Sequence, residues 1–137
     1  MKAFFVLILS LLTLSCSSSK ESASNSGNLN GSWQPVREEM NGQELPQTSF
    51  EGQRLAIADS VFLFVAEGVD EGIIRYEDGK MDIFVEDGVN IGKHFPAIYK
   101  LENGFLTICY NLAGDKYPEA FETKSNENYL LTVFRKE

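Results

Sequence analysis

The segment IIRYEDGKMDIFVE, residues 73–86, holds two strand-like runs on either side of the dipeptide Asp78-Gly79. An Asp-Gly pair suits the positive φ angles of a two-residue hairpin turn. Alternation with a period of two recurs in short runs of this kind, which is typical of β-strands. The segment therefore predicts an antiparallel β-hairpin.

The same turn chemistry recurs along the chain, in Asn41-Gly42, Asp87-Gly88 and Asn103-Gly104. Further strand-like runs cover residues 32–39, 54–58, 61–66, 97–101, 105–111 and 129–135, whereas no window longer than about ten residues shows a clean helical stripe. Closing such a sheet into a barrel would remove its two exposed edges. We predict one all-β domain, residues 31–137, that forms an antiparallel meander of about eight strands and closes into a barrel.

The first thirty residues indicate export. Lys2 is followed by an apolar run at residues 3–14, which has the length of a signal peptide and is too short to span a bilayer as a helix. The segment LTLS before Cys16 resembles the bacterial lipobox, which implies cleavage after Ser15 and lipid attachment to Cys16. The alternative is an ordinary signal peptide with a disulfide between Cys16 and Cys109.

These features predict three regions: a lipoprotein signal peptide at residues 1–15, a lipidated cysteine with a flexible tether at residues 16–30, and the barrel domain. The tether segment is rich in Ser, Asn and Gly, so it has little apolar surface to bury. The expected location is the bacterial cell envelope, with the protein lipid-anchored to the membrane, and we favour the outer membrane.

The charge of the chain argues against nucleic acid as a partner. Cleavage after Ser15 removes one of 12 basic residues and none of the 20 acidic ones, which leaves a net charge of −9. Nucleic-acid binding depends on neutralising phosphates with Lys and Arg. An anionic membrane surface would also repel such a protein, so membrane attachment is expected to come from the lipid on Cys16.

Four stretches carry a resemblance to a known family: Gly31-Ser32-Trp33, MNGQELP at residues 40–46, IYKLENGFLTICY at residues 98–110 and YPEAFETKSNENYLLTVFRK at residues 117–136. In this order they resemble an uncharacterised bacterial lipocalin-like domain family abundant in planctomycetes. The resemblance implies a lipocalin-like barrel and no particular activity. It also implies that Trp33 closes one end of the barrel beneath Arg135.

Aromatic residues in the predicted strands are the candidates for lining a binding site. We expect the interior to include Phe62, Phe64, Phe84, Tyr99 and Tyr110. An eight-stranded barrel either fills its interior with side chains or holds one small ligand. Because these strands are short and the side chains bulky, we expect a largely filled barrel with at most a shallow pocket at its mouth.

Catalytic and metal chemistry have few candidates in the sequence. His94 is the single histidine and is predicted in a loop, where the simplest interpretation is a solvated side chain. Cys109 is expected to be a small apolar residue, with a reactive thiol as the alternative. We predict no cofactor, no metal site and no catalytic residue.

Two functions from different classes remain. The first is a non-catalytic lipoprotein whose barrel binds a small apolar molecule or a peptide. The alternative is a protein-interaction, inhibitor or assembly module of the cell envelope that uses its acidic outer surface. A connected interior void would favour the first function, and a filled barrel with an exposed apolar patch would favour the second.

Overall fold

The computed structural model describes residues 27–137, which form one antiparallel β-barrel. The nine strands are β1 (Gly31–Met40), β2 (Gln43–Glu44), β3 (Arg54–Ala58), β4 (Val61–Val65), β5 (Val69–Glu77), β6 (Lys80–Asp87), β7 (His94–Glu102), β8 (Phe105–Asn111) and β9 (Tyr129–Lys136). A short 3₁₀ turn, Gln47–Ser49, precedes β3.

The strands from β3 to β9 pair antiparallel in sequence order, and β1 pairs with both β3 and β9. The pairing of β1 with β9 closes an eight-stranded barrel, so the sheet has no free edge along this ladder. The remaining strand, β2, contains two residues and pairs only with the end of β1. The predicted all-β meander that closes into a barrel of about eight strands is confirmed.

Turn chemistry explains three of the eight connections between strands. Both residues of Asn41-Gly42, Asp78-Gly79 and Asn103-Gly104 have positive φ angles, as a tight hairpin turn requires. Asp87-Gly88 behaves differently from the tight turn that the sequence predicts. Only Gly88 has a positive φ, and the dipeptide opens a longer connection at residues 88–93, which we call the mouth loop.

One half of the barrel interior is filled with apolar side chains. Leu29 and Trp33 close this end, and the Trp33 indole N–H donates to the Leu29 carbonyl oxygen at 2.8 Å. The Leu29 amide donates to the Tyr76 hydroxyl at 3.2 Å, and Tyr76 packs edge-on against Tyr99. We call this end, defined by Leu29, Trp33 and Tyr76, the closed end.

Leu29 changes the domain boundary that the sequence predicts. Its side chain is 0% exposed and belongs to the barrel core, although the tether was predicted to continue to residue 30. A single leucine in a polar segment gives no periodic signal, yet it has enough apolar surface to help seal one end of a barrel. The folded domain therefore begins before residue 31.

The cation over the Trp33 ring is Lys136, not Arg135 as the family resemblance implies. The Lys136 Nζ lies 5.6 Å from the ring centroid. Trp33 pairs with Lys136, whereas Arg135 pairs with Gln34 and is exposed on the outer face. Because neighbouring residues of a strand point to opposite faces, the register places Lys136 and not Arg135 on the side of the indole.

The segment from residue 112 to residue 128 covers part of the outer face of the sheet. Thr123 is fully buried there; its hydroxyl donates to Glu39 at 2.9 Å and accepts from the Gly42 amide at 2.9 Å. The Asn111 side chain, also fully buried, donates to Asp115 and to the Lys116 carbonyl. These bonds fix the segment against β1 and β8.

Within residues 27–137, no helix is long and apolar enough to cross a membrane.

Candidate functional site: the open half of the barrel

The half of the barrel opposite the closed end holds a cavity of about 340 Å³. Its lining residues come from the ends of β1, β4, β6 and β8 and from the starts of β3, β5, β7 and β9. In an antiparallel meander these strand ends meet at the same end of the barrel. The cavity volume falls at the lower end of the roughly 300–1,000 Å³ typical of small-molecule sites.

The cavity wall is mainly apolar because the inward positions of successive strands carry large hydrophobic side chains. Their alternation with outward residues directs them into the barrel. The apolar lining comprises Leu55, Phe62, Phe64, Ile83, Val85, Phe95, Leu112, Leu130 and Phe134.

Three of the five aromatic residues predicted to line a site do so: Phe62, Phe64 and Tyr110. Tyr99 points inward but lies in the filled half, where it is 1% exposed and packs against Tyr76. Phe84 points outward, because it lies between the inward residues Ile83 and Val85 of β6. The expectation that Phe84 and Tyr99 line the site is therefore wrong.

The cavity is also larger than the shallow mouth pocket that the sequence predicts. Bulky side chains, among them Trp33 and Ile108, fill the half of the interior at the closed end. They leave space in the other half, which contains Glu38 and Tyr110. Counting aromatic residues cannot locate this boundary, because it depends on which end of each strand they occupy.

Glu38 is a carboxyl group in the cavity wall that the sequence did not single out. Its side chain is only 7% exposed. Strict alternation from Trp33 and Pro35 would direct Arg37 inward, but a bulge between Pro35 and Arg37 shifts the register by one residue. Glu38 therefore faces the interior opposite Thr132, while Arg37 faces solvent and pairs with Glu39 and Glu44.

Burial raises the pKa of Glu38, because the charged carboxylate loses its solvation, and a hydrogen bond from the Thr132 hydroxyl partly opposes this shift. Tyr110 lines the same cavity, and burial together with the Glu38 charge raises the pKa of its phenol. Both groups thus favour their neutral forms more strongly than they would in water.

The polar lining includes a further acceptor, the Gln53 side-chain carbonyl. Its Oε1 is buried and has no hydrogen-bond partner among residues 27–137, although the side-chain Nε2 of Gln53 donates to the Ser49 carbonyl oxygen. Buried polar atoms without a partner are uncommon and carry a desolvation cost. A ligand with a hydrogen-bond donor would satisfy this oxygen.

The mouth loop forms one side of the opening and is held by Asp70. This carboxylate accepts from the Asn90 backbone amide at 3.0 Å and from its side-chain amide at 2.6 Å. Gly88 allows the close approach, since a Cβ there would lie 2.2 Å from the Val69 carbonyl oxygen. On the same loop, the side chains of Val89 and Ile91 are strongly exposed.

His94 belongs to a polar cluster on the outer face, outside the cavity. Its Nε2 lies 2.7 Å from one oxygen of Asp82, whose other oxygen accepts from the Tyr117 hydroxyl at 2.6 Å. The imidazole also stacks on Phe84, with ring centroids 4.5 Å apart. His94 is thus the first residue of β7 with defined partners, not the solvated loop residue predicted.

Cys109 also lies outside the cavity, beneath the covering segment. It is 0% exposed and points away from the interior, because it alternates with the inward residues Ile108 and Tyr110 of β8. Burial and, to a smaller extent, the charge of Glu39 raise its thiol pKa to about 11. Because the thiolate is the reactive form, this environment disfavours thiol chemistry in the folded protein.

Among residues 27–137, no group of three or more His, Cys, Asp or Glu side chains has the arrangement of a metal site. Cys16 lies outside the described residues. Comparisons of the chain with protein-family models, curated proteins and solved structures find no match. The resemblance to the planctomycete lipocalin-like family stays a prediction.

Proposed function

We propose that the protein is a non-catalytic binding module for one small, mainly apolar molecule, which it holds in the open half of its barrel. The observation that carries this proposal is the cavity of about 340 Å³, with a mainly apolar wall and a few polar groups. That combination is the usual composition of a small-molecule site: apolar surface supplies affinity and the polar groups fix orientation.

The opening supports a ligand that exchanges with solution. Apolar walls that contact water gain free energy when a ligand displaces that water. The filled half supplies the stability that lets the other half remain open, because its side chains pack into one continuous core around Ile74, Met81 and Leu106. The barrel thus separates a structural half from a binding half.

The proposal includes a lipid anchor on Cys16 and a place in the bacterial cell envelope, at the outer membrane. Its support is the sequence: an apolar segment of signal-peptide length, LTLS before the cysteine, and a polar segment after it. Substituting Cys16→Ala should release the protein from the membrane fraction. Unchanged membrane retention of the variant would contradict the anchor.

Binding can be tested on the full chain with N-phenyl-1-naphthylamine, a neutral dye that fluoresces in apolar surroundings. We expect saturable binding with one site per barrel. Leu130→Trp adds bulk within the cavity and should abolish it, while Leu63→Trp adds the same side chain to the outer face and should leave it intact. Equal dye binding by both variants would refute the cavity as the site.

The mouth loop supports the alternative function, a protein-interaction module. Val89 and Ile91 are 76% and 63% exposed, and exposed apolar side chains at a rim are typical of contact surfaces. Val89→Ser together with Ile91→Ser should then reduce crosslinking to envelope proteins without changing dye binding. Unchanged crosslinking would remove the support for this alternative.

A further inference from the structure

The polar groups in the cavity wall are mainly hydrogen-bond acceptors. Glu38 contributes a carboxyl group and Gln53 a carbonyl oxygen without a partner. Among the ion pairs formed within residues 27–137, none includes Glu38, whose one side-chain partner is the Thr132 hydroxyl. The wall therefore has a buried acid with no ion-pair partner among residues 27–137.

A buried carboxylate is costly unless a positive charge or strong donors compensate it. A protonated primary amine offers both, since it carries a charge and three N–H donors. The Glu38 carboxylate could accept one donor, and two further acceptors of the wall, Gln53 and the Tyr110 hydroxyl, could accept the rest. The donor group of such a ligand matches what the cavity lacks.

We propose that the ligand is an apolar molecule with a protonated amine, and that Glu38 is the counter-charge that holds the ammonium group. This inference rests on the proposed function, because it names the chemical class of the molecule bound in the same cavity. The acidic chain also attracts cations from a distance, since its net charge is −8.

The position of Glu38 gives the ligand a direction. Glu38 pairs with Thr132, nearer the mouth than Phe134, which pairs with Pro35. An ammonium group at Glu38 leaves the deeper, apolar part of the cavity around Phe134 and Phe62 for the body of the ligand. The amine thus lies toward the mouth, where its desolvation is least costly.

An anionic ligand, such as a fatty acid, would have to use Lys93, the cation that lines the cavity. Lys93 is exposed at the mouth, and its Nζ already contacts the Asn90 side-chain oxygen at 3.2 Å. Burying a carboxylate beside Glu38 would place two negative charges in one cavity. This repulsion favours the amine over the acid.

The ionisation of Glu38 should make amine binding depend on pH. The other titratable groups that line the cavity are Asp70 on β5, Lys93 on the mouth loop and Tyr110 on β8. Asp70 is already bonded to Asn90. Burial raises the pKa of Tyr110 further above neutral pH. Amine affinity should therefore increase as the pH rises through the pKa of Glu38 and then level off.

The test uses the full chain and three probes of equal length: n-octylamine, n-octanol and octanoate, each below the concentration at which it forms micelles. Their affinities are measured by displacement of N-phenyl-1-naphthylamine. The variants are Glu38→Gln, which removes the charge but keeps an amide of similar shape, and Glu39→Gln, the same change on the neighbouring residue outside the cavity. Circular dichroism verifies that each variant is folded.

We expect octylamine to bind at least about tenfold more tightly than octanol, and octanoate to bind most weakly, since a hydrogen bond to a charged group contributes more than a neutral one. Glu38→Gln should remove the preference for the amine over the alcohol, and Glu39→Gln should preserve it. If Glu38→Gln does not fold, the wild-type affinities at several pH values test the role of Glu38 instead. The affinity for octylamine should rise with pH while that for octanol stays constant, and a constant octylamine affinity would overturn the inference.

Equal binding of octylamine and octanol, a preference for octanoate, or an amine preference that survives in Glu38→Gln would each overturn the inference. The dye and octanol would still bind in these cases, so the proposed function would stand. Failure of the dye and of all three probes to bind would overturn the proposed function and the amine inference together.

Discussion

Replacing Leu29 with alanine should destabilise the barrel as much as a substitution in the middle of its core. Leu29 lies only two residues before β1, in a segment rich in Ser, Asn and Gly, yet its side chain is 0% exposed. The substitution removes three carbon groups from the closed end. At about 0.8 kcal/mol for each buried carbon group, the lost transfer free energy is about 2.4 kcal/mol.

The space left at the closed end adds a second cost. Leu→Ala substitutions at fully buried sites lower the free energy of unfolding by about 2–5 kcal/mol when both costs are included. We expect about 3 kcal/mol for Leu29→Ala. With a urea dependence of about 1–3 kcal/mol per molar, typical of small domains, the unfolding midpoint should fall by about 1–3 M.

Urea unfolding followed by tryptophan fluorescence measures this effect directly, because Trp33 donates to the Leu29 carbonyl oxygen and reports on the closed end. Leu63→Ala is the matched control: it removes the same atoms from a position that is 36% exposed on the outer face. If the two variants lose the same free energy of unfolding, Leu29 does not belong to the core and the tether continues to residue 30.

Lys136→Ala should shift the tryptophan emission and lower the free energy of unfolding by about 0.5–1 kcal/mol, because Lys136 lies over the Trp33 ring. Arg135→Ala should have less effect on both. Equal effects of the two substitutions would contradict the pairing of Trp33 with Lys136. In the folded protein at about pH 8, Cys109 should resist a thiol reagent, because a pKa of about 11 leaves roughly one thiol in a thousand ionised. In denaturant, one reactive thiol per chain would support lipid on Cys16, and two would contradict it. Because the pKa of Glu38 is raised, its carboxyl group holds a proton more tightly in the folded than in the unfolded state. Glu38 should therefore lower the free energy of unfolding as the pH rises from about 4.5 through its folded pKa, and Glu38→Gln should lack this loss in urea unfolding at several pH values. The same pH dependence of the free energy of unfolding in both proteins would contradict this prediction.

The fold could be predicted from the sequence because its information is local. The turn dipeptides Asp78-Gly79 and Asn103-Gly104 fix where strands reverse, and alternation fixes which side chains point inward. Closure follows from the need to pair the two edge strands. Phe62 and Tyr110 both lie in regular strands, and both line the cavity.

The candidate site was harder to predict because its details depend on departures from regularity. The bulge after Pro35 turns Glu38 inward, and no residue type in VREEM, residues 36–40, signals it. The outward position of Phe84 follows only from the register of β6, in a run where Ile83, Phe84 and Val85 are all apolar. Such a run does not by itself show which face is buried.

The position of Leu29 has a consequence for how the barrel can be presented to its surroundings. The chain enters at the closed end, whereas the mouth loop lies at the other end, about 20 Å away for strands of this length and usual tilt. Anything attached ahead of residue 27 therefore joins the barrel at the end remote from the cavity opening. Immobilising the protein through its amino terminus should leave the opening accessible to dissolved molecules. With the lipid anchor proposed on Cys16, the proposed ligand could exchange with the aqueous phase while the protein stays on the membrane.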